Sequence, residues 1–157
     1  MAVKVGDKAP QFTLFDTDRK ARSMGEFAGK KLVLLFYPGA FTGVCTKEMC
    51  SIRDAMAKFN SFQAQVIGIS VDSPFANKAF ADHNKLTFPL LSDHDREASK
   101  AYAGLFPDFA GVKGYLVPNR SVFVVDSKGI VRFAWISDTP GVEPNYDEVV
   151  KAAEAVH

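Results

Sequence analysis

The sequence predicts an α/β protein, a mixed β-sheet with helices packed on both faces. Three observations lead there. Residues 31–37 and 65–71 are nearly unbroken apolar runs, the pattern of strands buried on both faces as in a parallel sheet. Each run is followed by a helix-start signal, so strand and helix alternate. Residues 121–126 and 130–136 then flank Ser127-Lys128-Gly129 and read as a β-hairpin. At 157 residues the chain suits one domain, spanning 1–157, with a sizeable core.

Taken in order, residues 1–30 are an opening segment. Gly6 to Pro10 is turn-like, residues 11–15 alternate like a half-buried strand, and Ser23 and Glu26 have capping-box spacing for a short helix. The first apolar strand ends at Pro38-Gly39. Thr42 can cap a helix that opens at Gly43, along which Met49, Ile52, Met56 and Phe59 repeat at helical spacing. After the second strand, Asp72-Ser73-Pro74 starts a helix that reaches about His83, with Pro74 at its first position. Residues 87–91 are short and apolar but contain Pro89, which points to an edge strand or a strand start. A further helix opens at Asp93 and ends near Gly104. Residues 105–119 hold two prolines and two glycines and read as a loop. The hairpin, a Pro/Gly loop over 137–145 and a C-terminal helix from Tyr146, with Val149, Val150 and Ala153 on one face, complete the chain.

Composition narrows the function. A formal net charge of +1, with no basic stripe, argues against a nucleic-acid partner. The apolar runs are too short to span a bilayer, and residues 1–7 lack the apolar core of a signal peptide, so the expectation is a cytoplasmic protein with no membrane partner. Two cysteines in such a chain are unlike a structural staple and are either inert or chemical. His83, His94 and His157 have no ligand spacing with them, so neither a metal nor another cofactor is expected.

Cys45 is the candidate centre. It falls in the first turn of the helix after a core strand, where free N–H groups and the helix dipole favour a thiolate. On a helical wheel of about 100° per residue it lies mid-stripe with Met49, Ile52, Met56 and Phe59. That placement also fits an inert, buried thiol. Arg120 precedes a strand, where its side chain can point at the strand–loop end of the sheet. Arg53 and Arg132 are weaker candidates for the same cationic role, and Glu48 either holds such a cation or is the exposed face of the helix.

The spacing Pro38-x-x-x-Thr42-x-x-Cys45, with Arg120 after a later loop, resembles the active-site signature of the peroxiredoxins, and the element order resembles their thioredoxin-like fold with an N-terminal extension and an inserted βα unit. The resemblance covers almost the whole chain. It implies a thiol peroxidase that needs no cofactor. Cys45 would attack the hydroperoxide, Thr42 and Arg120 would donate to it, and Pro38 would shield the thiol. The five-residue spacing to Cys50 looks like the resolving-cysteine arrangement of the bacterioferritin-comigratory or Q-type group, whereas in the AhpE-like group, which the C-terminal region also resembles, a resolving cysteine need not be there. It further implies a thioredoxin-like protein reductant and an assembly that is often a homodimer, with residues 105–119 as interface or pocket wall.

On an intact helix Cys50 lies about 140° from Cys45, with Cα atoms roughly 8–9 Å apart, beyond the usual disulfide limit of about 7 Å. A bond between them requires the first turns to unwind. Three other readings stay open: a one-cysteine peroxidase with Cys50 inert, a disulfide oxidoreductase, against which stands the lack of a Cys-x-x-Cys pair, and a redox sensor or holdase.

Overall fold

The computed structural model describes residues 2–157. The opening segment forms a small antiparallel pair, β1 (Thr13–Phe15) and β2 (Ala21–Ser23), followed by a 3-10 turn at Met24–Phe27. Ser23 sits at the start of that turn, but its side chain makes no capping bond. Then come β3 (Lys31–Phe36), α1 (Gly43–Asp54), α2 (Met56–Ser61), β4 (Ala64–Ser70), α3 (Pro74–Asn84), β5 (Leu90–Ser92) and α4 (Glu97–Tyr102). A second small pair, β6 (Leu105–Phe106) and β7 (Val117–Pro118), precedes β8 (Ser121–Val125), β9 (Val131–Ile136) and α5 (Tyr146–Ala155).

Seven strands make one mixed sheet in the order β2-β1-β5-β4-β3-β8-β9. β3 pairs in parallel with β4 and β4 with β5, whereas β3–β8 and β8–β9 are antiparallel. The alternation along β3 feeds two cores. Leu32, Leu34 and Phe36 join Phe12, Ile67, Ile69, Tyr102 and Phe123 on one face. Val33, Leu35 and Tyr37 join Cys45, Met49, Ile52, Phe59, Phe80 and Val149 on the other. α1, α2, α3 and α5 thus cover the second face, and α4 with the opening segment covers the first. Each fully buried Leu, Ile, Val or Phe stabilises this packing by about 1.5–3 kcal/mol.

Several local expectations are corrected. The helix after Cys45 breaks at Ala55, so Met56 and Phe59 belong to α2. β5 begins directly after Pro89, as a strand start should, but it lies inside the sheet between β1 and β4. Asp93 does not open α4 from within. Its buried carboxylate caps the helix from outside, accepting from the N–H groups of Ala98 and Ser99 and from Ser99 Oγ. Residues 105–119 are not all loop, since β6 and β7 close them into a flap that carries Phe109 inward.

Candidate active site

The site is built at the end of β3. Tyr37 and Pro38 are buried, and the Tyr37 ring lies over Gly68 of β4, where an added Cβ would come within 3.3 Å of that ring and 2.6 Å of Leu90. Glycine there lets the chain leave the sheet close to its neighbour. Phe41 adopts φ +65°, a left-handed conformation rarely taken by a bulky side chain. Thr42 occupies the N-cap position of α1 with extended backbone, yet its hydroxyl does not cap the helix. It turns back and donates to Gly39 O at 2.8 Å. The expectation of a capping threonine is therefore corrected in its bonding and kept in its position.

Cys45 is fully buried in the first turn of α1. Arg120 reaches it from just before β8: Nη2 donates to Cys45 Sγ at 3.3 Å and Nη1 to Glu48 Oε1 at 2.9 Å. Nε and Nη2 both donate to Pro140 O, at 3.0 and 2.7 Å. The guanidinium is thus clamped between α1 and the loop before α5. Of the three candidate arginines, only this one meets the thiol. Arg53 bonds Asp54 and Asn84 O, and Arg132 bonds Asp126.

Electrostatics here oppose one another. Burial pushes the Cys45 thiol up, and the Arg120 charge, the Thr42 hydroxyl and the Gly39 backbone pull it back only in part. The net direction is upward, so the arginine and the Thr42 hydroxyl soften the cost of a buried thiolate without overcoming it. Burial likewise pushes Glu48 up to about 7 against the pull of Arg120. For Arg120 itself burial works against the charge, but Cys45 and Glu48 outweigh it.

Glu48, for which the sequence leaves both a cation-holding role and an exposed helix face open, holds the cation. It is wholly buried. A signal was present: at three residues past Cys45 it lies within about 60° of it on the wheel, at the edge of the apolar stripe. Beside this cluster a cavity of about 230 Å³ is lined by Thr42, Gly43, Val44, Phe109, Arg120, Pro140 and Gly141. It opens onto Arg120 and Thr42, with Cys45 behind them. Phe109 makes the flap a pocket wall. Cys50 is half-buried on the far flank of α1, where its thiol donates to Asn84 Oδ1 at 3.6 Å, and both cysteines are free.

A buried thiol at a helix start, met by a clamped arginine at the floor of a small pocket, defines a thiol-based redox protein. The AhpC/TSA family matches residues 5–134. A chloroplastic peroxiredoxin Q from Populus jackii is 38% identical over 154 residues, covering 98% of this chain and 70% of the relative. The crystal structure of peroxidoxin BcpB from Mycobacterium tuberculosis superposes with TM-score 0.84 at 29% identity, covering 99% of each chain. Peroxiredoxin Q from Xanthomonas campestris gives 0.79 at 28% identity, covering 92% of this chain and 90% of that one. The chain belongs to the AhpC/TSA family and is a peroxiredoxin, an oxidoreductase of the thiol-dependent peroxidase class. It spans 59–80% of the lengths of the chloroplastic relatives it matches. Among the described residues no helix is long and apolar enough to cross a membrane.

Proposed function

We propose that the chain reduces hydrogen peroxide and organic hydroperoxides through Cys45, with Cys50 as the resolving thiol and a thioredoxin-like dithiol protein as reductant. The observation that carries this reading is the 3.3 Å contact from Arg120 Nη2 to Cys45 Sγ. The Cys45 thiolate attacks one peroxide oxygen in line with the O–O bond. An S–O bond forms as the O–O bond breaks, and the departing oxygen takes a proton to leave as water or an alcohol. Arg120, Thr42 and the N–H groups near Val44 and Cys45 offset the charge that develops there. Pro38, buried beneath the loop, keeps water from the sulfur. Cys45 is left as sulfenic acid. The Cys50 thiol gives up its proton and its sulfur attacks that of Cys45, an S–S bond forms as the S–O bond breaks, and the hydroxide takes up a proton and leaves as water. The external dithiol reduces the disulfide and is itself oxidised. A cycle that depends on such a reductant fits a reducing compartment, the cytoplasm, and uses residues 1–157 as one catalytic domain.

Intact mass and thiol count after one equivalent of peroxide test the scheme. Loss of two hydrogens and both thiols is the expected result. Gain of one oxygen with Cys50 still free favours the one-cysteine reading, and an unchanged mass refutes Cys45 chemistry altogether. Cys45→Ser should fold as the parent does, because serine is close in size, and should lose turnover, because its hydroxyl is a poor nucleophile here.

A further inference from the structure

We propose that Asp72 is a positioning residue for the reaction, a clamp that fixes the loop carrying Thr42 and leading into Cys45. Its position in the chain looks like a helix-start signal, but Ser73 does that work: the Ser73 side chain caps α3 by accepting from Ala76 N–H at 3.1 Å. The Asp72 carboxylate is thereby free to reach across the end of the sheet. Its Oδ2 accepts from the Ala40 N–H at 2.8 Å, in the middle of the turn between β3 and α1.

The clamp is braced from behind. Ser70 Oγ lies 2.8 Å from the same Oδ2 and 3.2 Å from Asn77 Oδ1, and the Asp72 N–H donates to Ser70 Oγ at 3.2 Å. Ser92 Oγ donates to Asp72 O at 2.6 Å, and Tyr37 OH donates to Asn77 Oδ1 at 2.7 Å. Ser70, Asn77, Ser92 and Tyr37 are all fully buried. Ser70 thus meets the carboxylate oxygen under Ala40, Ser92 fixes the Asp72 main chain, and Asn77, itself met by Tyr37, backs Ser70. A buried network of this kind has few alternative arrangements.

The loop needs such a hold. Directly after Ala40, Phe41 takes the strained φ of +65°, a conformation that persists only where its surroundings over-determine it. Its ring leans on Phe80 and His83 of α3, so the same helix fastens the loop a second time. This conformation places Thr42 Oγ1 against Gly39 O and starts α1 in register with Arg120. Asp72 touches neither the thiol nor the pocket, so it acts through Ala40.

The consequence for the peroxide reaction rests on the proposed role of Cys45, whereas the clamp itself is read without peroxide. Amide exchange at Ala40 in the reduced protein, followed by NMR, should be slow in the parent. In Asp72→Ala it should speed up, and oxidation of Cys45 should slow by at least about tenfold, since misplaced donors lose rate steeply. The pH midpoint for alkylation of Cys45 should shift as well. Asp72→Asn should recover most of the rate, because both bonds fall on one oxygen that an amide retains. Fast exchange at Ala40 in the parent overturns the clamp. So does parent-like oxidation in Asp72→Ala, or an Asp72→Asn protein as slow as Asp72→Ala. If Asp72→Ala does not fold, Ser70→Ala removes the brace instead, and unchanged exchange at Ala40 there also overturns it. A parent that fails to react with peroxide while Ala40 stays protected refutes the proposed function and leaves the clamp standing.

Discussion

Glu48 Oε1 lies 2.9 Å from Arg120 Nη1, with neither side chain more than 1% exposed, so the arginine is the charge that compensates the buried carboxylate. The second carboxylate oxygen, Oε2, has no hydrogen-bond partner among the described residues. Removing one member of a buried pair strands the other. Glu48→Ala and Arg120→Ala should therefore each lower stability by about 3–5 kcal/mol, and the double variant by clearly less than the sum of the two. Urea unfolding of the four proteins measures this coupling. Additive losses would mean that the two residues are supported independently.

The same pair makes stability depend on pH. Glu48 in the folded protein is raised to about 7 from an ordinary 4.5. Between those values the folded state binds more protons than the unfolded state, so this contribution is fully present below about 4.5 and is lost as pH rises through about 7. The loss should be on the order of 1–3 kcal/mol. Asp16, Asp126 and Glu143 are shifted downward and act with the opposite sign. The informative quantity is thus the difference between the parent and Glu48→Gln, followed by denaturation from pH 4 to 8. A difference that does not vary with pH would show that folding leaves the Glu48 pKa at its ordinary value.

Charge reaches Cys45 through one arginine. Arg120→Lys keeps the charge, but an ammonium cannot reproduce the fork that meets Cys45, Glu48 and Pro140 together. Its Cys45 oxidation rate should fall by about 10²-fold or more, and the midpoint for Cys45 alkylation should move further upward, because the guanidinium hydrogen bond to Cys45, one of the influences offsetting burial, is lost even though the charge is kept. Arg53→Gln and Arg132→Gln, whose partners lie outside the site, should change neither. Stopped-flow oxidation of the four proteins, with alkylation across pH, separates them.

The sheet was legible wherever apolar runs were long. β3, β4 and the β8–β9 hairpin appear within a residue or so of the apolar runs that foreshadow them, because burial on both faces leaves little choice of residue. Thr42, Cys45 and Arg120 were legible by spacing and by resemblance. Glu48 was legible only as one of two alternatives and Asp72 not at all, for a shared physical reason. A carboxylate that finds its partner from a distant element looks, along the chain, like a solvated helix face or a helix start. β6 and β7 were hidden by prolines and glycines, since a two-residue pair needs no periodic signal. The direction of the Cys45 shift was missed because local sequence shows the helix start and the cation but not the depth of burial.

Resolution should move more than the helix start. Cys45 and Cys50 lie on different flanks of α1, whose helix runs unbroken through both, so joining them requires its first turns to unwind. Between the two lie Lys47 and Glu48. Lys47 Nζ bonds Glu143 at 3.1 Å, and Glu48 holds the guanidinium that donates to Pro140 O. Unwinding breaks both ties and frees Cys50 from Asn84. Each backbone hydrogen bond given up costs about 1 kcal/mol net, and part of the Met49–Ile52 stripe meets water. The oxidised protein should therefore lose amide protection over residues 43–52 and, at the same time, over residues 137–145, while β3 and β4 stay protected. The cost of unwinding also slows resolution, so excess peroxide should drive Cys45 on to sulfinic acid. Hydrogen exchange with mass spectrometry on the reduced and disulfide forms reads both segments. Loss confined to residues 43–52 would show that the C-terminal loop holds without Lys47 and Glu48. Equal protection in both forms would mean that Cys50 does not pair with Cys45 within one chain.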